Sequence, residues 1–328
     1  MTLAFTLCCN NYLAQAKVLG HSFRRHHPGI EFIIGLVDTV NPSIDYSAFS
    51  DFTILPVADL EIPEFEEMEL KYSIVELNTS VKPFYFSHLF DNQKANKIIY
   101  LDPDIEVFSP MEEVLDLLDT YNIIITPQNC SPIDDGHSPS DIHVLGTGVF
   151  NLGFIALSDS ERLSGFLSWW KQRLLKYGFA DERNNMFFDQ VWINLVPAFF
   201  DNYYILKHPG YNMAPSNLHE RSITGHSEGN WHINDNFLLR FYHFSGFKFS
   251  NPKLMCCYSE RFTFKDRPDV LPLYNSYINK LDKNEINVLA AVPPYYCHRP
   301  AYSGPKEPKI KRGLRRISKA FNVLAGKA

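Results

Sequence analysis

The chain of 328 residues carries a formal net charge of −6 and is 45% hydrophobic and 14% aromatic, enough apolar material for a substantial core. Eight basic residues and one acidic residue make residues 304–328 locally +7, which leaves the first 303 at −13, and a body this acidic argues against nucleic acid as a partner. No apolar run reaches the length of a membrane span, no charged and apolar leader precedes the first strand-like segment, and the six cysteines have neither zinc spacing nor scaffold density, so the expectation is a cytosolic protein with reduced thiols.

Residues 3–8 form an apolar run that predicts a first strand, Asn10-Asn11 a turn, and residues 12–26 a helix, with Leu13, Ala16, Val18, Leu19 and Phe23 at helical spacing. Pro28-Gly29 stops that helix, and residues 31–37 predict a second buried strand ending at Asp38. Strand, helix, strand at this spacing is a βαβ unit, so the fold class is α/β. It holds no G-x-G-x-x-G and no Walker loop, which removes the main support for dinucleotide oxidoreductases and phosphate-loop enzymes. Residues 52–57 predict a third strand and 70–78 a helix that breaks near Thr79-Ser80; Lys82 opens another helix with Pro83 in its first turn, a favoured place for proline.

The next stretch organises the chain. Ile98, Ile99, Tyr100 and Leu101 run without polar alternation into Asp102-Pro103-Asp104, the pattern of a strand covered on both faces that stops at a carboxylate. Pro103 blocks further ladder pairing. Asp102 and Asp104 thus lie at the carboxyl end of a central strand, where open α/β sheets put their ligands. Two carboxylates so close repel unless a positive charge sits between them, and a divalent cation bound to a diphosphate is the usual solution. Asp-Pro-Asp is also ordinary turn chemistry, so the motif alone decides nothing.

Beyond it, residues 111–121 predict an acidic amphipathic helix, 122–126 a strand, and 128–141, rich in Pro, Ser, Asp and Gly, a mobile loop. Residues 146–157, which include Phe150-Asn151-Leu152-Gly153, read as a strand, and 161–177 as a helix with a heavy apolar face. Asp189-Gln190 opens a further apolar segment; Asp189 is equally an N-cap and a functional carboxylate at this point. Residues 203–206 predict a strand, 208–221 an irregular polar loop, 237–242 a strand running into His243-Phe244-Ser245-Gly246-Phe247-Lys248, and 272–281 the last globular helix.

The series strand-Asp102-Pro103-Asp104, Phe150-Asn151-Leu152-Gly153, Asp189-Gln190 and His243-Phe244-Ser245-Gly246 resembles, in order and approximate spacing, the retaining glycosyltransferases of family 8 and their bacterial relatives over residues 3–250. The resemblance implies a GT-A fold, a mixed and mostly parallel central sheet flanked by helices. It implies Asp102, Asp104 and His243 as ligands of a Mn²⁺ or Mg²⁺ that bridges the diphosphate of a UDP-sugar. It also implies that Cys8, Asn10, Asn11 and Tyr12 meet the nucleoside with Asp38 closing the same side, and that Lys82, Pro103, Asn151, Gly246 and Lys248 belong to the donor site. Asp189 and Gln190 would line the donor sugar near its anomeric carbon, as the catalytic pair. Lys248 stands two residues after Gly246 rather than in the family's usual place. The chemistry asks for such a set independently, since breaking a sugar–diphosphate bond leaves negative charge that a divalent cation stabilises without a proton.

The resemblance therefore implies a metal-dependent transfer of a sugar from a nucleotide-sugar donor to a glycan or lipid-linked acceptor with retention, the acceptor lying over residues 128–141 and 208–232. A sugar-phosphate nucleotidyltransferase and an inactive sugar-binding or scaffold relative are the alternatives. The expected organisation is a catalytic domain over residues 1–303 and a basic amphipathic tail over 304–328. In the tail Ile310, Leu314, Ile317, Phe321 and Leu324 share one helical face amid Lys311, Arg312, Arg315, Arg316 and Lys319, which predicts a helix lying on the cytosolic surface of the inner membrane, with an oligomerisation helix and a disordered tail as alternatives.

Overall fold

The computed structural model describes residues 1–296, so Cys297, the expected domain boundary and the amphipathic stripe of 304–328 lie outside the described residues. The chain opens with β1 (Thr2–Cys8), α1 (Leu13–His26), β2 (Glu31–Leu36), β3 (Thr53–Pro56), α2 (Phe65–Lys71), α3 (Ile74–Ser80) and α4 (Lys82–Asp91). It continues through β4 (Lys97–Leu101), β5 (Ile105–Val107), α5 (Glu112–Leu117), β6 (Ile123–Pro127), α6 (Asp141–Thr147), β7 (Phe150–Ser158) and α7 (Glu161–Tyr177). The short elements β8 (Ala180–Asp181), β9 (Met186–Phe187), α8 (Gln190–Ile193) and α9 (Val196–Phe199) precede β10 (Tyr203–Ile205). Then come β11 (Ile223–Ser227), β12 (Asn230–Ile233), β13 (Phe237–Leu238), β14 (Phe241–His243), α10 (Leu271–Lys283) and α11 (Ile286–Leu289).

Seven strands form one sheet in the order β10-β6-β7-β4-β1-β2-β3. Every pair in it is parallel except those of β7, which runs against both β4 and β6. Helices cover both faces, which is why the strands lack polar alternation. On β1, Leu3, Phe5 and Leu7 face one layer with Tyr85, Phe86 and Trp170, while Ala4 and Cys8 face the other with Leu19, Tyr274 and Tyr277. A second, two-stranded ladder pairs β14 with β5, placing His243 opposite Ile105, directly after the Asp102–Asp104 turn.

The expected α/β class and GT-A-like sheet are present, and several element boundaries move. The helix expected over 70–78 is two helices, broken at Tyr72-Ser73 where a capping box restarts the chain: Ser73 N donates to Glu76 Oε2 at 2.7 Å and Ser73 Oγ accepts from Glu76 N. Residues 146–149 are not strand. α6 runs to Thr147 and stops at Gly148, whose φ of +121° no other residue adopts comfortably. The strand expected over 237–242 is interrupted between β13 and β14, and the expected polar loop is followed by a β11–β12 hairpin that turns through positive φ at Glu228 and Gly229.

Candidate active site

β4 is central and ends at Leu101, so its next residues emerge at the carboxyl edge of the sheet. There Asp102, Pro103, Asp104 and Ile105 form a turn closed by Ile105 N donating to Asp102 O at 3.1 Å. The motif is turn chemistry as well as a carboxylate pair. Tyr100, two residues back and on the same strand face, donates its hydroxyl to Asp102 Oδ1 at 2.6 Å and fixes that carboxylate. The β5–β14 ladder, reinforced by Phe244 N donating to Asp104 O at 2.9 Å, brings His243 to the turn.

His243 Nε2 lies 3.1 Å from Asp104 Oδ1 and 3.8 Å from Asp102 Oδ2, while Nδ1 faces Asn212 Oδ1 at 3.4 Å. Burial alone would lower the imidazole pKa, but Asp104 and then Asp102 outweigh it and hold the ring above its ordinary 6.5. Burial raises the Asp104 carboxyl, but His243, a backbone hydrogen bond and Lys248 together outweigh it, so its pKa falls below the ordinary range. The three side chains offer ligand atoms within 4.8 Å of one another. Two oxygens and one imidazole nitrogen suit Mn²⁺ or Mg²⁺, the nitrogen favouring Mn²⁺.

Gly153 on β7 makes the room. A Cβ there would stand 2.5 Å from His243 Cε1 and 2.7 Å from Nδ1. Gly153→Ala is expected to displace the ring and weaken Mn²⁺ binding about 10–100-fold, the cost typical of disturbing a ligand's support. Titration with Mn²⁺ followed by EPR of the free ion checks this, and unchanged affinity would show that the ring is not held against β7.

Lys82 is no solvated helix-start lysine. Its ammonium is 1% exposed, donates to Asp189 Oδ2 at 2.6 Å and to Leu152 O at 3.0 Å, and lies 4.2 Å from the centre of the Tyr100 ring. Asp189 precedes α8 at the cap position, yet its side chain caps nothing and goes to Lys82 instead. Burial raises its pKa more than Lys82 lowers it. Gln190 stitches β7 to α6, accepting from Leu152 N at 3.2 Å and donating to Thr147 O at 3.0 Å. Asn151 accepts from Gly153 N at 2.9 Å and donates to Gln128 Oε1 at 2.9 Å.

The loop after β1 is built largely inward. Cys8 is buried, Asn10 donates its side chain to Thr39 O and its backbone to Asp38, and Tyr46 donates to Asn10 Oδ1. Asp38, fully buried, also accepts from the backbone of Thr39 and Tyr295. Tyr12, 36% exposed, is the aromatic of this loop that reaches solvent, and Asn11 is half-buried beside it. Gly246 sits in the left-handed region at φ +73°, and Lys248 beyond it is exposed, within electrostatic range of Asp104. Three contributors escaped the sequence reading: Asn212, the Tyr100 hydroxyl and the Lys82–Asp189 pairing. Tyr100 was readable, since residues two apart on a strand share a face. Asn212 was not, because a left-handed residue in an irregular loop (φ +53°) is what aims it.

Residues 128–141, expected to be mobile, are tied down. Cys130 N donates to both oxygens of Glu220, and Arg261 forms a two-point pair with Asp135 while also donating to the carbonyls of His137 and Pro139. Among the described residues no disulfide joins two cysteines, and Cys130 and Cys257 are exposed. No helix there is long and apolar enough to cross a membrane.

No protein-family model matches the sequence, and no curated protein matches it. Solved structures do. A galactosyltransferase, LgtC, solved with donor and acceptor sugar analogues, superposes with a TM-score of 0.50 at 16% identity, covering 89% of this chain and 98% of that one. The bifunctional glycosyltransferase WbbM matches at 0.48 and 14% identity over 85% of this chain and 49% of its own, and mouse xyloside xylosyltransferase 1 at 0.44 and 15% over 74% and 97%. The first likeness, spanning nearly all of both chains, shows the GT-A fold.

Proposed function

We propose that this chain transfers a sugar from a nucleoside-diphosphate donor, with UDP as the nucleotide, to a glycan or lipid-linked acceptor with retention of anomeric configuration. The observation that carries the proposal is the meeting of Asp102, Asp104 and His243 at the carboxyl end of β4, in a fold shared with a galactosyltransferase solved with sugar analogues. Held by these three ligands, a Mn²⁺ or Mg²⁺ would neutralise the charge that develops on the departing diphosphate. Tyr100 and Asn212 fix the ligand side chains in place. Lys248, within range of Asp104, adds a cation on the diphosphate side.

Asp189 is buried and engaged by Lys82, which supports a same-face displacement over a covalent sugar–enzyme intermediate. Gln190, next to it, holds β7 to α6 beside the donor sugar, with its amide engaged by Leu152 N and Thr147 O. Residues 128–141 and 208–232, tied together through Cys130 and Glu220, form the acceptor side in this reading. A nucleotidyltransferase would call for a Gly-rich, basic loop after β1, and that place holds Cys8-Cys9-Asn10-Asn11.

Melting temperatures with UDP, GDP, CDP and ADP, each with and without Mn²⁺, test the proposal. UDP with Mn²⁺ at a hundred times its Kd is expected to add about 2.7 kcal/mol of stability. The UDP–Mn²⁺ shift also carries a sign with pH. His243 binds a metal only when neutral, and Asp104 and Asp102 hold its pKa above the ordinary imidazole value, so protons compete with the metal over the range below that raised pKa. Apparent Mn²⁺ affinity therefore rises with pH through this range, by up to about tenfold per unit below the histidine pKa. A shift independent of pH would remove His243 from the ligand set, and no shift with any nucleotide would overturn the donor site.

A further inference from the structure

We propose that Tyr258 is a donor-contacting residue that lies on the bound nucleoside diphosphate, its ring against the nucleoside and its phenol donating to a phosphate oxygen. The inference rests on the sugar-transfer reading above. Tyr258 is 71% exposed, more than any other exposed aromatic residue in the described chain, although this protein has an aromatic-rich core in which to place such a ring. An isolated exposed side chain means little, but this one stands on a fixed stem. Cys257 N donates to Gly246 O at 2.9 Å, and Tyr258 N lies 3.3 Å from the buried Cys256 Sγ. One residue later, Ser259 Oγ donates to Ser138 O at 2.9 Å, and Arg261 anchors the same segment to Asp135. The ring is exposed while its backbone is held on both sides.

Its position points to the donor. A Cβ on Gly246 would come within 2.7 Å of Tyr258 Cδ2, so the ring packs on the bare backbone of the turn that follows His243. The side chain is within electrostatic range of Lys248, Tyr12 and Asp104. These groups belong to the metal turn and the nucleoside loop, whereas the link to residues 128–141 runs through Ser259 rather than through the Tyr258 side chain. A flat apolar face with a hydroxyl at its tip, beside a lysine, fits a ligand that is a ring at one end and an anion at the other.

The test uses the full chain as wild type, Tyr258→Ala and Tyr258→Phe, with the Kd for UDP measured calorimetrically in saturating Mn²⁺. Tyr258→Ala is expected to weaken UDP roughly tenfold, and Tyr258→Phe about threefold, since it keeps the ring and loses one hydrogen bond. Melting temperatures without ligand serve as the folding control. If the wild type binds UDP and Tyr258→Ala binds it equally well, this inference falls and the sugar-transfer reading stands. If the alanine variant keeps its UDP affinity but needs more acceptor for half-maximal rate, Tyr258 belongs to the acceptor side and the inference falls as well. If the wild type binds no nucleoside diphosphate, both fall together.

Discussion

Asp102→Asn is expected to abolish the Mn²⁺-dependent stabilisation by UDP and to lower sugar transfer by on the order of a hundred- to a thousandfold or more, the scale of losing one electrostatic stabiliser of a developing anion. The substitution is nearly isosteric. The amide oxygen still accepts from Tyr100, so the strand end and turn keep their hydrogen bond. What changes is charge: the pair of carboxylates facing His243 becomes one, and the ligand set loses an anionic oxygen. The ligand-free melting temperature should stay within the small range usual for exposed or half-exposed substitutions, about ±0.5 kcal/mol. Full activity in the variant would reduce Asp-Pro-Asp to the turn that its sequence also allows.

Lys82→Met is expected to destabilise the fold by about 3–5 kcal/mol, because it leaves Asp189 as an uncompensated charge in the interior. Both side chains are almost wholly buried, 1% and 3% exposed, so solvent screening does not dilute the effect. At about 2.1 cal/mol/K of unfolding entropy per residue over 328 residues, that corresponds to a fall in melting temperature of roughly 4–7 °C. Lys82→Met with Asp189→Asn removes both charges and should recover a large part of the loss, giving a coupling energy of roughly 0.5–3 kcal/mol in a double-mutant cycle by chemical denaturation. A single-mutant cost under about 1 kcal/mol would mean that the pair is not buried in solution. The distinction bears on the proposed mechanism, in which the pairing with Lys82 would keep Asp189 from serving as a nucleophile.

The sheet was legible in the sequence because burial on both faces forces uninterrupted apolar runs, and β1, β2, β4 and β6 each announce themselves this way. The aspartate turn was legible for the same reason, since a run that ends in Asp102-Pro103-Asp104 states where the strand stops. Legibility failed where partners are distant in sequence. Lys82 and Asp189 each look solvated or capping in isolation, and only the packing of α4 against the start of α8 makes them a buried pair. It failed also where one glycine sets the boundary, as at Gly148, where an apolar run reads as strand although its first part is helical. Asn10 and Asp38 illustrate a third limit. Their placement beside the β1 loop was readable, but not that their polar atoms would be occupied in holding the loop itself.

The β5–β14 ladder has a further consequence, for the order in which the molecule comes into being. It joins His243 to Asp104 across more than a hundred residues of intervening chain. Closing a loop of that size costs about 4 kcal/mol in chain entropy beyond the constant term, from (3/2)RT ln n. A chain made from its N-terminus exposes the aspartate turn early, together with β1, β2 and β4, while β14 emerges late. Until it does, the growing polypeptide can own a sheet and a pair of carboxylates but not the imidazole that faces them. A cation that bridges all three would then act as a clasp on the last strand to arrive, opposing its departure and tying the slow, non-local step of folding to the moment the protein first becomes competent.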